Sequence, residues 1–210
     1  MAGVELTESM RVSVACPKCH ELDEAEVWTS VNNVDNPDVA QWLIDGFLFK
    51  HECPACGNVV TLNHDCLFDD AIHKTMILYV ANPSKAEEAL AALDARKPDG
   101  YAIRLVATQD ELREKAAIFR DGLDDRAVEV SKQALFNRFV GIGEIEKEAR
   151  ALYGARTEDG GIVIEFVTHD GTAETVVPSD VYGGIADSFT DVQPPVVDRD
   201  WAMGVLSNWE

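Results

Sequence analysis

Four cysteines in two short motifs are the residues of this chain best placed to do chemistry. They are Cys16-Pro17-Lys18-Cys19 and, after a gap of 33 residues, Cys53-Pro54-Ala55-Cys56-Gly57. Two intervening residues let both thiolates of a tight turn face one ion, and two such turns complete a tetrahedron. Proline presets each turn, and Gly57 lets the chain leave the second one without steric cost. Four thiolates close the coordination shell, so the metal expected here, Zn2+, is a folding device rather than a Lewis acid. The gap exceeds the roughly 15–20 residues of a common ribbon, and a short helix inserted between the pairs accounts for the excess. A thioredoxin-type redox site needs a single C-x-x-C at a helix start and fits two proline-containing pairs poorly. Iron satisfies the same four-sulfur tetrahedron and stays open beside zinc.

The fifth cysteine, Cys66, pairs with nothing in this pattern. With His64 it could supply a further ligand or a reactive thiol, but a buried free cysteine acting as a small hydrophobe is the reading adopted. His20 and His51 adjoin the pairs and could donate hydrogen bonds to the sulfurs, or His20 could replace a ligand. They are read as surface histidines. Asp69 and Asp70, and Asp121, Asp124 and Asp125, suggest acid/base or magnesium chemistry. In a chain with 38 acidic residues such neighbours arise by chance. Asp121 stands where a helix wants a cap, and Asp124 and Asp125 stand where its dipole favours negative charge. Gly141-Ile142-Gly143 lacks a third glycine at dinucleotide spacing, and neither a phosphate loop nor a nucleophile elbow occurs. Trp28, Trp42, Phe47 and Phe49 could stack on single strands, but without basic neighbours they read as core.

The elements that must position the cysteines are legible from periodicity. Arg11 to Ala15 alternates as a strand into the first pair, and Glu24 to Thr29 is a second strand. Asn36 as N-cap, Pro37 at the first helical position and Asp38 open a short helix. Val39, Trp42 and Leu43 mark its inner face, and Gly46 stops it. Phe47 to Glu52 and Val59 to Asn63 are strands on either side of the second pair. Beyond, His73 to Ala81 reads as a buried strand, and Ser84-Lys85-Ala86-Glu87 as a capping box before a helix. Tyr101 to Ala107 is a strand, and Thr108-Gln109-Asp110-Glu111 a second capping box. A longer helix spans about 123–140. Glu144 to Tyr153 reads as another helix, Ile162 to Thr168 with Thr172 to Val177 as a hairpin around His169-Asp170-Gly171, and Trp201 to Leu206 as a short helix.

The 210 residues carry 38 acidic against 18 basic side chains, a net charge of −20. With 46% hydrophobic residues a core can form. No window is rich in Lys or Arg, so direct contact with nucleic-acid phosphates is not expected; the acidity is spread along the chain as a solvated surface, or as a face that docks on a basic protein. No apolar run is long enough to span a membrane, and Met1 to Val14 has no leader-like apolar region. A soluble, cytoplasmic protein is therefore expected, and in that setting C-x-x-C pairs argue for metal or redox chemistry and against a disulfide framework.

The doubled Cys-Pro-x-Cys element, the Asn36-Pro37-Asp38 helix with Trp42-Leu43-Ile44-Asp45-Gly46, and Phe119-Arg120-Asp121-Gly122-Leu123-Asp124-Asp125-Arg126 together resemble the CpXC domain family. The resemblance covers roughly residues 10–140. It implies that Cys16, Cys19, Cys53 and Cys56 are the four motif cysteines, and it implies no reaction. The expected architecture is α+β. A zinc ribbon with a helical insertion (11–66) and a strand–helix–strand–helix–helix segment (71–140) make up a domain over 10–140. A hairpin-containing extension follows over 144–210. The function expected is that of a zinc-stabilised binding or regulatory protein acting on a protein partner. An enzyme with a site between the ribbon and the later helices, and a ribbon associated with nucleic-acid machinery, are the alternatives.

Overall fold

The computed structural model describes residues 6–189 and 193–209; residues 1–5 of the segment read for a leader lie outside it. The chain is α+β and divides into two compact units, 1–117 and 118–210.

In the first unit, β1 (Glu8–Ala15) and β2 (Leu22–Asn32) form an antiparallel hairpin. β2 then pairs in parallel with β5 (Cys66–Asp70), Val31 opposite Phe68. β5 pairs with β6 (Thr75–Tyr79) and β6 in parallel with β7 (Ala102–Val106), giving a five-stranded sheet in the order β1-β2-β5-β6-β7. The parallel step from β6 to β7 is made through α2 (Ala86–Asp94), as such a step requires a crossover. Leu93 of this helix closes a core with Leu67, Met76, Leu78, Val80 and Ile103. Between β2 and β5 lie α1 (Pro37–Ile44) and a two-stranded sheet of β3 (Lys50–Glu52) and β4 (Val59–Thr61).

The punctuation of α1 is as its sequence predicts. The Asn36 side chain accepts from the Val39 N–H at 3.3 Å with Pro37 next in line. Gly46, at φ +78°, donates to Leu43 O, and Phe47 N–H reaches back to Trp42 O at 2.9 Å. These paired bonds form the left-handed closure that glycine makes cheap. Trp42 departs from its expected inward place. The buried stripe is Val39, Ala40 and Leu43; an eight-residue helix has room for one narrow stripe, and the indole stands at its edge, 50% exposed.

Three other expectations are corrected. Strand β5 escapes the sequence reading because Asp69 and Asp70 make Cys66–Asp70 look polar, yet all five residues are buried. The Ser84 capping box does not form. Asn82 caps a 3₁₀ turn at Pro83–Lys85 by accepting from both the N–H and the hydroxyl of Ser84, and α2 follows directly. The helix expected over Glu144 to Tyr153 is replaced by β8 (Arg150–Arg156), because pairing of Ala151 with Phe166 and Tyr153 with Ile164 outweighs the local helix preference of Glu, Lys and Ala.

The cap at Thr108 does form: the Glu111 N–H donates to Thr108 Oγ1, while the Glu111 carboxylate reaches one residue beyond the usual box and accepts from the Ala107 N–H. It opens α3 (Gln109–Arg120), within which the division between the units falls. The second unit is built on α4 (Asp125–Gly141), which packs against β8, α5 (Ser179–Ala186) and α6 (Arg199–Ser207). The expected hairpin is β9 (Ile162–Thr168) with β10 (Gly171–Val177), and β9 also pairs with β8. Ile162, Ile164 and Phe166 of β9 turn inward, with Phe139 of α4 edge-on to Phe166 at 5.3 Å. Arg199 lies over the Phe136 ring at 4.3 Å, tying α6 to α4.

The N-cap of α4 is Asp124 rather than Asp121. Asp121 instead accepts from the Tyr153 hydroxyl at 2.5 Å and from Arg120 Nε at 2.8 Å. Burial would raise the Asp121 carboxyl, but Arg120, Tyr153 and Arg156 outweigh it and hold it below its ordinary value. A carboxyl lowered in the folded state adds stability above its unfolded pKa of about 3.9, and that stability is lost as pH falls through the lower folded value. The melting temperature is therefore expected to fall below about pH 4, and Tyr153→Phe to flatten that fall. Identical melting-versus-pH curves for the two proteins would contradict the assignment.

Candidate metal centre

Each cysteine pair sits at the tip of a hairpin. The first spans the turn between β1 and β2, where the Cys16 N–H donates to Glu21 O and the His20 N–H to Cys16 O, both at 2.9 Å. The second spans the turn between β3 and β4, where the Cys53 N–H donates to Asn58 O and the Gly57 N–H to Cys53 O, again at 2.9 Å. The two turns are thus copies of one backbone pattern. The residue after each second cysteine is left-handed in both, Gly57 at φ +67° and His20 at φ +62°. Glycine adopts this conformation freely; a histidine is strained in it.

The turns bring all four sulfurs within 4.8 Å of one another. Cys16 Sγ lies 3.7 Å from Cys56 Sγ, and Cys19 Sγ lies 3.6 Å from Cys53 Sγ. A tetrahedral site with metal–sulfur bonds of about 2.3 Å has sulfurs about 3.8 Å apart, so the four atoms fit a single ion. Each close contact joins one turn to the other, which suits a clamp between hairpins. Cys16 and Cys53 are buried, Cys56 is half-buried and Cys19 is exposed.

As thiols the two cysteines of the first turn are electrically unequal. The Cys19 N–H is the strongest influence on Cys16; burial opposes it, and the Lys18 N–H with the Cys19 and Cys56 sulfurs bring that thiol down to about 6. At Cys19 the Glu21 N–H lowers the thiol, but Cys56, burial, Cys53 and Cys16 together push it up to about 12. Thiolates this close repel one another, and a divalent cation removes the conflict. The group can therefore hold a metal ion.

The remaining candidates are placed elsewhere. His51 Nε2 stands 3.2 Å from Asp23 Oδ2, an ion-pair geometry that links β3 to β2. His64 lies against the Phe49 ring, centroids 4.9 Å apart, with Nδ1 3.0 Å from Asp65 O. Cys66 is fully buried in β5, and burial pushes its thiol up to about 12, which makes it inert at neutral pH. Asp70, also buried, accepts from the N–H groups of Ile72 and His73, from Asn33 Nδ2, and faces His73 Nδ1 at 2.7 Å. Asp69 accepts from Asn32 Nδ2 at 3.0 Å. The two carboxylates thus close the ends of the parallel strands β2 and β5. Asp124 caps α4 and accepts from Arg126. Of the four aromatics read as core, Phe49 is buried and Trp28 half-buried, while Trp42 and Phe47 are exposed. The equivalence of His20 with Gly57 escaped the sequence reading. Its signal was the matched position, one residue beyond each Cys-Pro-x-Cys.

Residues 14–132, more than half of the chain, match the family model described as CpXC protein. No curated protein and no solved structure matches.

Two outcomes follow from this geometry. Relieving the left-handed strain by His20→Gly is expected to stabilise the protein by about 1 kcal/mol, read from denaturant midpoints; a loss of stability would show that the imidazole makes a contact of greater worth. In the folded protein Cys66 is expected to resist a thiol-specific reagent at neutral pH and to react only on unfolding, which mass spectrometry of the modified peptides would check.

Proposed function

The chain belongs to the CpXC family, and we propose that Cys16, Cys19, Cys53 and Cys56 hold one structural zinc ion in a scaffold that acts by binding another protein. The observation that carries the metal reading is the pair of sulfur contacts between the two turns, 3.6 and 3.7 Å, close to the edge of a zinc–thiolate tetrahedron. Four thiolates fill the shell and leave no position for water or substrate, so the ion serves folding. Zinc is the usual occupant of such closed sites; iron would fit the same sulfurs and would be betrayed by colour. Reduced thiols at this centre suit a cytoplasmic setting.

The reading of protein contact rests on charge and on exposed apolar side chains. A net charge of −20 repels phosphate polymers and favours basic surfaces. Among the described residues no helix is long and apolar enough to cross a membrane. Val34, Trp42, Phe47 and Ile72 each expose half or more of their surface, which suits partner contact better than catalysis.

Freshly purified reduced protein is expected to contain one zinc per chain by elemental analysis. The apparent binding energy of structural zinc, about 10–16 kcal/mol, matches or exceeds the whole stability of a typical domain, about 5–15 kcal/mol. A strong chelator should therefore lower the melting temperature sharply and abolish capture of any partner that the zinc-loaded bait retains. Substoichiometric zinc together with melting unchanged by chelation would overturn the reading.

A further inference from the structure

Trp42 is out of keeping with the surface around it. A large indole 50% exposed on a short, well-capped helix leaves half of its apolar surface in water, outside the buried stripe of Val39, Ala40 and Leu43. On a helix the side chains at i−4 and i+3 are neighbours of residue i. For Trp42 these are Asp38 and Asp45, both exposed. The indole is therefore flanked, one turn to either side, by carboxylates. Among the described residues neither carboxylate has a cationic partner; Asp45 accepts only from the uncharged Gln41 amide, at 2.8 Å.

The nearby cations are engaged by groups other than these two carboxylates, Arg113 at the C-terminal end of α1 itself. Arg113 Nε donates to Ile44 O at 2.9 Å, and its guanidinium faces Asp110. Lys50 stands over the Phe47 ring, 5.6 Å from its centroid. Phe47 thus already carries a cation on one face. The face of Trp42 is left with two unneutralised carboxylates beside it, on a chain of net charge −20. Indole is the best aromatic acceptor of a cation. A guanidinium can stack on it and donate in the plane to carboxylates, which a compact ammonium does less well.

We propose that the exposed face of α1, centred on Trp42 between Asp38 and Asp45, is a docking surface for an arginine-bearing basic segment of a partner protein. The proposal rests on the reading of the chain as a binding module and names the chemistry of the partner it takes. The Asn36 cap at one end and the Gly46 closure at the other fix the backbone that carries the indole, so no chain segment has to be ordered on binding.

The test uses the zinc-loaded 210-residue chain, titrated calorimetrically with an arginine-rich peptide and with its lysine counterpart of equal length. The arginine peptide is expected to bind more tightly, with Trp42→Ala weakening it about ten-fold. Asp38→Asn with Asp45→Asn, which leaves the indole in place, is expected to weaken it similarly. Trp209→Ala, at the other half-exposed tryptophan, is the control and should bind as the parent does. Equal affinity for the two peptides, no loss in Trp42→Ala, or an equal loss in Trp209→Ala would overturn the proposal by reducing the attraction to net charge alone. Zinc content and melting temperature measured on the same samples report on the scaffold separately, so a patch that fails on intact zinc-loaded protein leaves the scaffold reading standing.

Discussion

Two hairpins meet at four sulfur atoms, and that meeting is the constraint on which the first unit depends. Strands β3 and β4 have three residues each, and a lone hairpin of that size does not hold together in water. Their sheet is separate from the five-stranded one, so ladder hydrogen bonds cannot recruit them. The contacts that link them to the β1–β2 hairpin are the sulfur cluster, which would become a clamp on binding a metal ion, and the pairing of His51 with Asp23. A clamp between segments separated by 33 residues also closes a long loop, and α1 lies in that loop.

The clamp reaches the main sheet through β2. One end of this eleven-residue strand carries the first cysteine turn, and the other pairs in parallel with β5. Parallel pairing is the weaker kind per residue. Here it is pinned at its end by side chains: Asn32 donates to Asp69 and Asn33 donates to Asp70. Asn32 also accepts from the N–H groups of Val34 and Asp35. Both strands are thereby stopped at the same level, and the chain is turned toward α1 on one side and β6 on the other.

Much of this was legible in the sequence where local chemistry and tertiary structure agree. Asn36, Pro37 and Gly46 act within one helix, and the two Cys-Pro-x-Cys turns carry their geometry in their own residues. The hairpin of β9 and β10 and the strand–helix–strand–helix–helix order of β6 to α4 were legible for the same reason. The failures come where distant partners decide. Asp69 and Asp70 read as a chance acidic pair because their asparagine partners lie more than 30 residues away. Glu144 to Tyr153 reads as a helix from its Glu, Lys and Ala, and pairing with β9 makes a strand from Arg150 onward. Trp42 matches a helical face by spacing, but spacing does not tell how wide a face the rest of the fold will cover. At the metal centre the four ligand candidates were plain, whereas the left-handed strain at His20 shows only when the two turns are compared as backbones.

X-ray absorption at the zinc edge of the purified protein tests the central claim most directly. The account predicts a first shell of four sulfur atoms at about 2.3 Å with no nitrogen or oxygen neighbour. A shell that mixes sulfur with lighter atoms, or one with fewer than four sulfurs, would contradict it.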